Sequence, residues 1–188
     1  LLNTSGNGIL ISCYHFVFVS LLLFFSRHKE NTNTFLPVLS FINIILYLLI
    51  VTGLTYQEFT QYFITEQTAF TGYYLHFISL ISIVYHIIYL VRSNSNKLFF
   101  NANFLTAFVC LIIVIIISNE TILNGLLFFI TRDSDYFENP HLFFSVYDQS
   151  KIILIKTALP VMWGLLAFAF LLTGIRKAIK QVRVIALI

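Results

Sequence analysis

Long apolar runs alternate with short polar stretches along this chain. A helix that crosses the hydrocarbon core of a bilayer needs about 20 mostly apolar residues. Five segments reach or nearly reach that length: residues 9–26, 35–54, 74–91, 103–118 and about 152–175. A sixth apolar segment begins near Val182. The pattern therefore predicts an all-α fold, a polytopic transmembrane helical bundle with five full spans and the start of a sixth.

Helices are favoured over strands for these segments, although many of their residues are β-branched. A lone strand would leave its backbone polar groups unpaired in lipid, so only helices and closed barrels cross membranes. Barrel strands alternate in polarity over about ten residues. Runs such as LIIVIII at residues 111–117 do not alternate, which argues against a barrel.

Two segments between the predicted spans are ambiguous. Residues 56–72 interleave aromatic and polar side chains, a composition typical of a helix that lies flat in the interface. Residues 121–130 are apolar but too few to span. The distribution of Lys and Arg is simplest when neither segment crosses the membrane. We therefore expect one or two short interfacial or re-entrant helices here.

The composition identifies the solvent around these helices. The chain is 59% hydrophobic and 10% charged, with a mean hydropathy of +0.89, whereas soluble domains carry about 25% charged residues. We therefore expect the helices to be surrounded by a lipid bilayer, which is one partner of the chain. The sequence opens without Met and stops inside an apolar run. We interpret residues 1–188 as a single transmembrane domain, a fragment whose other partners are the remaining transmembrane segments of the same chain.

The basic residues predict the orientation of the spans. Eight of the eleven Lys and Arg residues fall in alternate connections. They are Arg27, Lys29, Arg92, Lys97, Arg176, Lys177, Lys180 and Arg183. Because Lys and Arg favour cytoplasmic loops, these connections are predicted to face the cytoplasm and the first residues to lie outside. No basic patch with interleaved aromatics is present, so no nucleic acid is expected as a partner.

Polar residues recur at helical spacing inside the apolar spans. The predicted seam residues are Ser40, Asn43 and Tyr47 in the second span, His76, Ser79, Ser82 and His86 in the third, and Asn103 and Thr106 in the fourth. Ser12 and His15 share one face of the first span. Such stripes face other helices, since a lipid-facing Asn or His would lose its hydrogen bonds. Helix–helix contact is the favoured interpretation, ahead of a polar substrate path and of a metal or haem site.

The histidine spacing argues against a metal or haem site. His76 and His86 are ten residues apart, about 15 Å along one helix, so they cannot bind the same iron. Within the predicted spans, no His/Glu pair at a spacing of three or four supplies a zinc or di-metal site. We therefore expect neither a metal nor another cofactor.

The connection at residues 131–150 carries the richest set of chemical groups. Asp133, Asp135 and His141 are the candidate catalytic residues, because a carboxylate near the membrane surface can act as a base or as a metal ligand. The alternative is a solvated connector with a turn at Asn139-Pro140. The predicted function is an integral membrane protein, transporter-like or a membrane scaffold. The alternative is an enzyme acting on a lipid-linked envelope glycan through this acidic loop.

Residues 156–188, KTALPVMWGLLAFAFLLTGIRKAIKQVRVIALI, carry a family resemblance over about a sixth of the chain. Trp163-Gly164, an Ala/Leu run, Gly174, the Arg176-Lys177 pair and Arg183 resemble a repeated pattern in the bacterial membrane family known as domain of unknown function 2339. The family pattern continues with a Lys and an Asp that this sequence does not reach. The resemblance implies a many-spanning protein of the bacterial inner (cytoplasmic) membrane and brings no catalytic residues.

Overall fold

The computed structural model describes residues 4–26, 35–65, 70–97 and 100–187. The structure is 91% helical, and the described ranges contain no strand. Five of the described helical segments are long and apolar enough to cross a membrane. The predicted all-α bundle with five spans is therefore confirmed, and the chain has the architecture of a multi-pass integral membrane protein.

The helices follow one another with short connections. In chain order they are α1 (Thr4–Ser26), α2 (Phe35–Leu46), a π-helical turn (Tyr47–Val51), α3 (Thr52–Ile64), α4 (Thr71–Lys97), α5 (Ala102–Phe129), α6 (Asp135–Glu138), α7 (Pro140–Arg176) and α8 (Lys180–Ile185). They group into two compact units that divide between residues 99 and 100. The single domain expected over residues 1–188 stays a prediction.

In the first unit, α4 packs against both α1 and α2, and α3 packs against α1 and α4. The second span differs from the predicted 35–54, because helix continues through the π-helical turn to Ile64. Residues 56–64 are therefore part of this span rather than of a separate interfacial helix. Phe59 and Phe63 are buried in the unit, and this apolar face holds the extra turns in place. Residues 71–72 begin α4, and residues 66–69 lie outside the described chain.

In the second unit, α5 and α7 pack against each other and α8 packs on both. Residues 121–129 continue α5, so the expected re-entrant or interfacial helix is not seen there. The side chains of Ile122, Leu123 and Leu126 are buried. Their burial makes one long helix more favourable than a break at this position.

Helix α7 begins at Pro140, twelve residues before the predicted start of the fifth span. Proline suits the first turn of a helix, where its missing N–H has no intrahelical partner. At 37 residues the helix is about 55 Å long, whereas the hydrocarbon core is about 30 Å thick. The polar first turns therefore extend the apolar span of residues 152–175 beyond the hydrocarbon core. Of the predicted loop 131–150, residues 135–138 and 140–150 are helical.

A tight turn reverses the chain between α7 and α8. Ala178 has a left-handed backbone, with φ at 53°, and Ile179 N–H donates to the Gly174 carbonyl at 2.9 Å. Ala178 N–H donates to Ile175 O at 3.2 Å, which completes a Schellman motif. A Cβ at Gly174 would lie 2.9 Å from the Arg183 backbone nitrogen. The absence of a side chain at Gly174 therefore lets α8 fold back onto α7.

Candidate functional site

Buried polar side chains line the contact between α1, α2 and α4 in the first unit. All seven seam residues predicted in the second and third spans are buried: Ser40, Asn43, Tyr47, His76, Ser79, Ser82 and His86. Three of these, Ser40, Ser79 and His86, have no exposed surface. Polar groups buried among apolar helices need hydrogen-bond partners, so their contacts define what this site can do.

A first hydrogen bond joins α1 to α2. His15 Nε2 lies 2.8 Å from Asn43 Oδ1, and Asn43 Nδ2 donates to the Leu39 carbonyl at 3.1 Å. With the amide nitrogen turned to Leu39, the amide oxygen is the acceptor and His15 Nε2–H is the donor. His15 itself is exposed on α1, so this pair lies at the rim of the buried site.

A second pair joins α2 to α4. Ser40 Oγ lies 3.0 Å from the His86 carbonyl oxygen and 3.2 Å from His86 Nδ1. A hydroxyl has one proton to donate. Ser40 donates it to the carbonyl, and its contact with Nδ1 depends on the tautomer of the ring. His86 Nε2 is buried, and the backbone of Phe16 on α1 lies within hydrogen-bonding reach of the ring.

The two pairs form one site because Ser40 and Asn43 are three residues apart on the same face of α2. Ser79 lies two turns from His86 on α4, and its buried Oγ has no hydrogen-bond partner within the described ranges. The site thus combines hydrogen bonds between helices with a buried hydroxyl at Ser79 that water or a solute could satisfy.

His76 belongs to a different environment. Its Nδ1 contacts the Tyr73 carbonyl oxygen, and its ring packs against Tyr73 and Phe77. Tyr73 in turn stacks on Phe70 at 4.4 Å between ring centroids and contacts Phe59. His76 is therefore part of an aromatic cluster between α3 and α4, away from the Ser40–His86 pair.

The two seam residues predicted on the fourth span are not enclosed in the same way. Asn103 is exposed and contacts the Gln181 side chain, and Thr106 is half-buried. Thr106 Oγ1 donates to the Ala102 carbonyl of its own helix at 2.8 Å. Because a Thr hydroxyl can be satisfied within its own helix, helical spacing alone does not require a partner helix.

The three candidate catalytic residues are all exposed: Asp133, Asp135 and His141. Asp133 Oδ1 accepts the Asp135 backbone N–H at 3.2 Å, an Asx turn that leads into α6. His141 lies in the first turn of α7. In the described ranges, no group of three or more His, Cys, Asp and Glu side chains is arranged to hold a metal ion.

The chain has no match among protein-family models, curated proteins or solved structures. The resemblance of residues 156–188 to domain of unknown function 2339 stays a prediction based on those residues. The site in the first unit is therefore interpreted from its own geometry. Sequence reasoning placed His15 on a polar face of α1 but did not identify Asn43 as its partner, because helical spacing does not say which helices are neighbours.

Proposed function

We propose that this chain is a multi-pass membrane transport protein whose first unit carries a polar path along α1, α2 and α4. The observation behind the proposal is that two polar side chains with no exposed surface, Ser79 and His86, lie among these helices, and that Ser79 Oγ lacks a hydrogen bond within the described chain. Polar groups at membrane depth are costly and mark solute or proton pathways. Side chains that only joined helices would be expected to satisfy one another.

The rival to a transport path is a scaffold in which the same seam only holds helices together. The His15–Asn43 and Ser40–His86 bonds suit both functions. The difference is water, because a transport path must be hydrated in at least one state. A scaffold seam stays dry.

Thiol accessibility distinguishes the two functions. In a background with Cys13→Ala and Cys110→Ala, which removes the two buried free thiols, single cysteines replace Ser79 or Ser82. Ile81→Cys is the matched control, because Ile81 lies between them and is 71% exposed on a face where we expect lipid. Only a hydrated thiol ionises and reacts with a charged, water-soluble reagent.

For a transport path, Ser79→Cys and Ser82→Cys should react at least tenfold faster than Ile81→Cys in intact vesicles. The estimate is conservative, since thiolate formation falls by orders of magnitude in an apolar environment. Equal and negligible reactivity at all three positions would instead identify a scaffold.

The proposal includes a bacterial inner membrane, with the basic connections in the cytoplasm. Support for the orientation comes from the eight of eleven Lys and Arg residues in alternate connections. Support for a bacterial origin comes from the resemblance of residues 156–188 to the domain of unknown function 2339 family.

A second candidate is an enzyme that acts on a lipid-linked envelope glycan. It is favoured by the exposure of Asp133, Asp135 and His141 between the end of α5 and the first turn of α7, where a substrate at the membrane surface could reach them. Turnover of a lipid-linked oligosaccharide in vesicles should then be lost in Asp133→Asn and Asp135→Asn and kept in Ser79→Ala. No turnover by the unaltered protein would rule this candidate out for that substrate.

A further inference from the structure

An apolar groove runs along the second unit, independent of the polar site in the first. Its volume is about 510 Å³. The lining includes Trp163, Gly164, Ala167 and Phe170 on α7, with Ile185 and Leu187 at the end of the chain. A Cβ at Gly164 would have no atom within 4 Å, so the missing side chain leaves open space. Trp163 is 49% exposed, so this wall of the groove reaches the surface.

A cluster of basic residues follows the groove residues along α7. The turn between α7 and α8 carries Arg176, Lys177, Lys180 and Arg183, all exposed. Arg176 lies six residues beyond Phe170, about 9 Å along α7. The chain then returns along α8 to Ile185 and Leu187 in the groove. No Asp or Glu occurs in residues 149–187, so no acid in this stretch offsets the positive charge.

Two contacts hold the groove and the basic turn in one arrangement. The Gln181 side chain contacts the Asn103 side chain at the start of α5. Trp163 Nε1 donates to Ser118 Oγ at 2.8 Å, which fixes the indole plane at the groove wall. The Schellman turn sets the direction of α8. These contacts therefore fix the position of the apolar groove wall relative to the basic turn.

We propose that this groove binds a phospholipid with an anionic headgroup. The acyl chain lies against Gly164, Ala167 and Phe170, and the phosphate lies against basic side chains of the turn that follows. An apolar surface that continues into an uncompensated basic cluster is complementary to a molecule with an apolar tail and an anionic head. Basic pockets beside membrane helices bind anionic headgroups in this manner.

The chain contains its own reporter for this site. Trp163 is its only tryptophan, and it lines the groove. Bromine atoms on an acyl chain quench indole fluorescence on contact. The full chain is reconstituted in zwitterionic vesicles that contain a small fraction of brominated lipid, with either an anionic or a zwitterionic headgroup. We expect half-maximal quenching at a mole fraction at least tenfold lower for the anionic lipid.

Two sets of variants separate headgroup recognition by the basic turn from attraction of anionic lipid to the overall positive charge of the protein. Replacing Arg176, Lys177, Lys180 and Arg183 by Gln should abolish the preference, since each basic residue near the surface contributes about fivefold to anionic-lipid binding. Replacing Lys151 and Lys156 by Gln is the matched control, because both belong to the opposite half of α7. This control should keep the preference.

A groove variant tests the position of the acyl chain. Gly164→Leu fills the open space while leaving the basic turn intact, so it should reduce quenching by the anionic lipid. Equal quenching by both brominated lipids would mean ordinary boundary lipid and would overturn the proposal. Absence of quenching by both brominated lipids would mean that protein covers the groove, and this result would also overturn the proposal. A preference that survives in the four-residue variant would also overturn it. Helical content by circular dichroism verifies that each variant is folded.

Discussion

Ser40→Ala tests the bond between α2 and α4 directly. The substitution removes a hydroxyl with no exposed surface that lies 3.0 Å from the His86 carbonyl oxygen and 3.2 Å from His86 Nδ1. Interhelical hydrogen bonds in membranes average about 0.6 kcal/mol, so two of them contribute about 1.2 kcal/mol. Leaving Nδ1 unsatisfied in a buried position raises the expected loss towards about 2 kcal/mol.

Ser79→Ala is the matched control for this prediction. Ser79 is also fully buried, and its hydroxyl has no hydrogen-bond partner in the described chain. Removing an unsatisfied polar group is neutral or stabilising. The two variants therefore delete the same atom from equally buried sites, and the difference between them measures the bonds rather than the loss of volume.

The free energy of unfolding in a bilayer can be measured by steric trapping, with both labels placed in the first unit. We expect Ser40→Ala to lose about 1 to 2 kcal/mol and Ser79→Ala to lose nothing. In a His86→Phe background the carbonyl of residue 86 remains, so Ser40→Ala should then cost only about 0.6 kcal/mol. Equal losses for Ser40→Ala and Ser79→Ala would refute the assignment of these bonds.

Three further predictions follow from the turn between α7 and α8 and from the charge pattern. Gly174→Ala forces a Cβ against the Arg183 backbone and should destabilise the α7–α8 packing by about 1 to 3 kcal/mol. Gly164→Ala is the control and should be tolerated, because a Cβ there meets open space. The free energy of unfolding of the second unit is measured for both variants. Ala178→Gly relieves the left-handed residue and should stabilise that unit by about 1 kcal/mol, so a loss of stability would contradict the Schellman assignment. In intact cells, Ala178→Cys should resist a membrane-impermeant thiol reagent while Ser134→Cys reacts, because basic connections favour the cytoplasm; the reverse labelling would invert the proposed topology.

Several features of the fold follow from local sequence alone. The apolar runs predicted helices at all five spans, because backbone groups in lipid must be paired within the segment. The predicted ends were less accurate. Helix continues past residue 54 to Ile64 and past residue 118 to Phe129. Polar residues end the apolar runs at the predicted positions, but buried side chains such as Phe59 and Leu126 stabilise the helix beyond them.

The candidate site shows the limit of sequence reasoning more clearly. Helical spacing put Ser40 and Asn43 on one face of the second span and His86 on a face of the third. It did not show that Asn43 would meet His15 and that Ser40 would meet His86. Those pairings depend on which helices are adjacent and at what depth, and that choice is a property of packing between segments far apart in sequence.

The sequence by itself determined the solvent of this protein, its helical class and the positions of its polar side chains, because each depends on one segment at a time. Tertiary structure alone decided which polar atoms are satisfied, as at Ser40, and which remain buried without a hydrogen bond in the described chain, as at Ser79. It also decided that Ile185 at the end of α8 would lie beside Trp163 along an apolar groove. These outcomes require several helices to meet, and no single helix carries the information that sets how they pack.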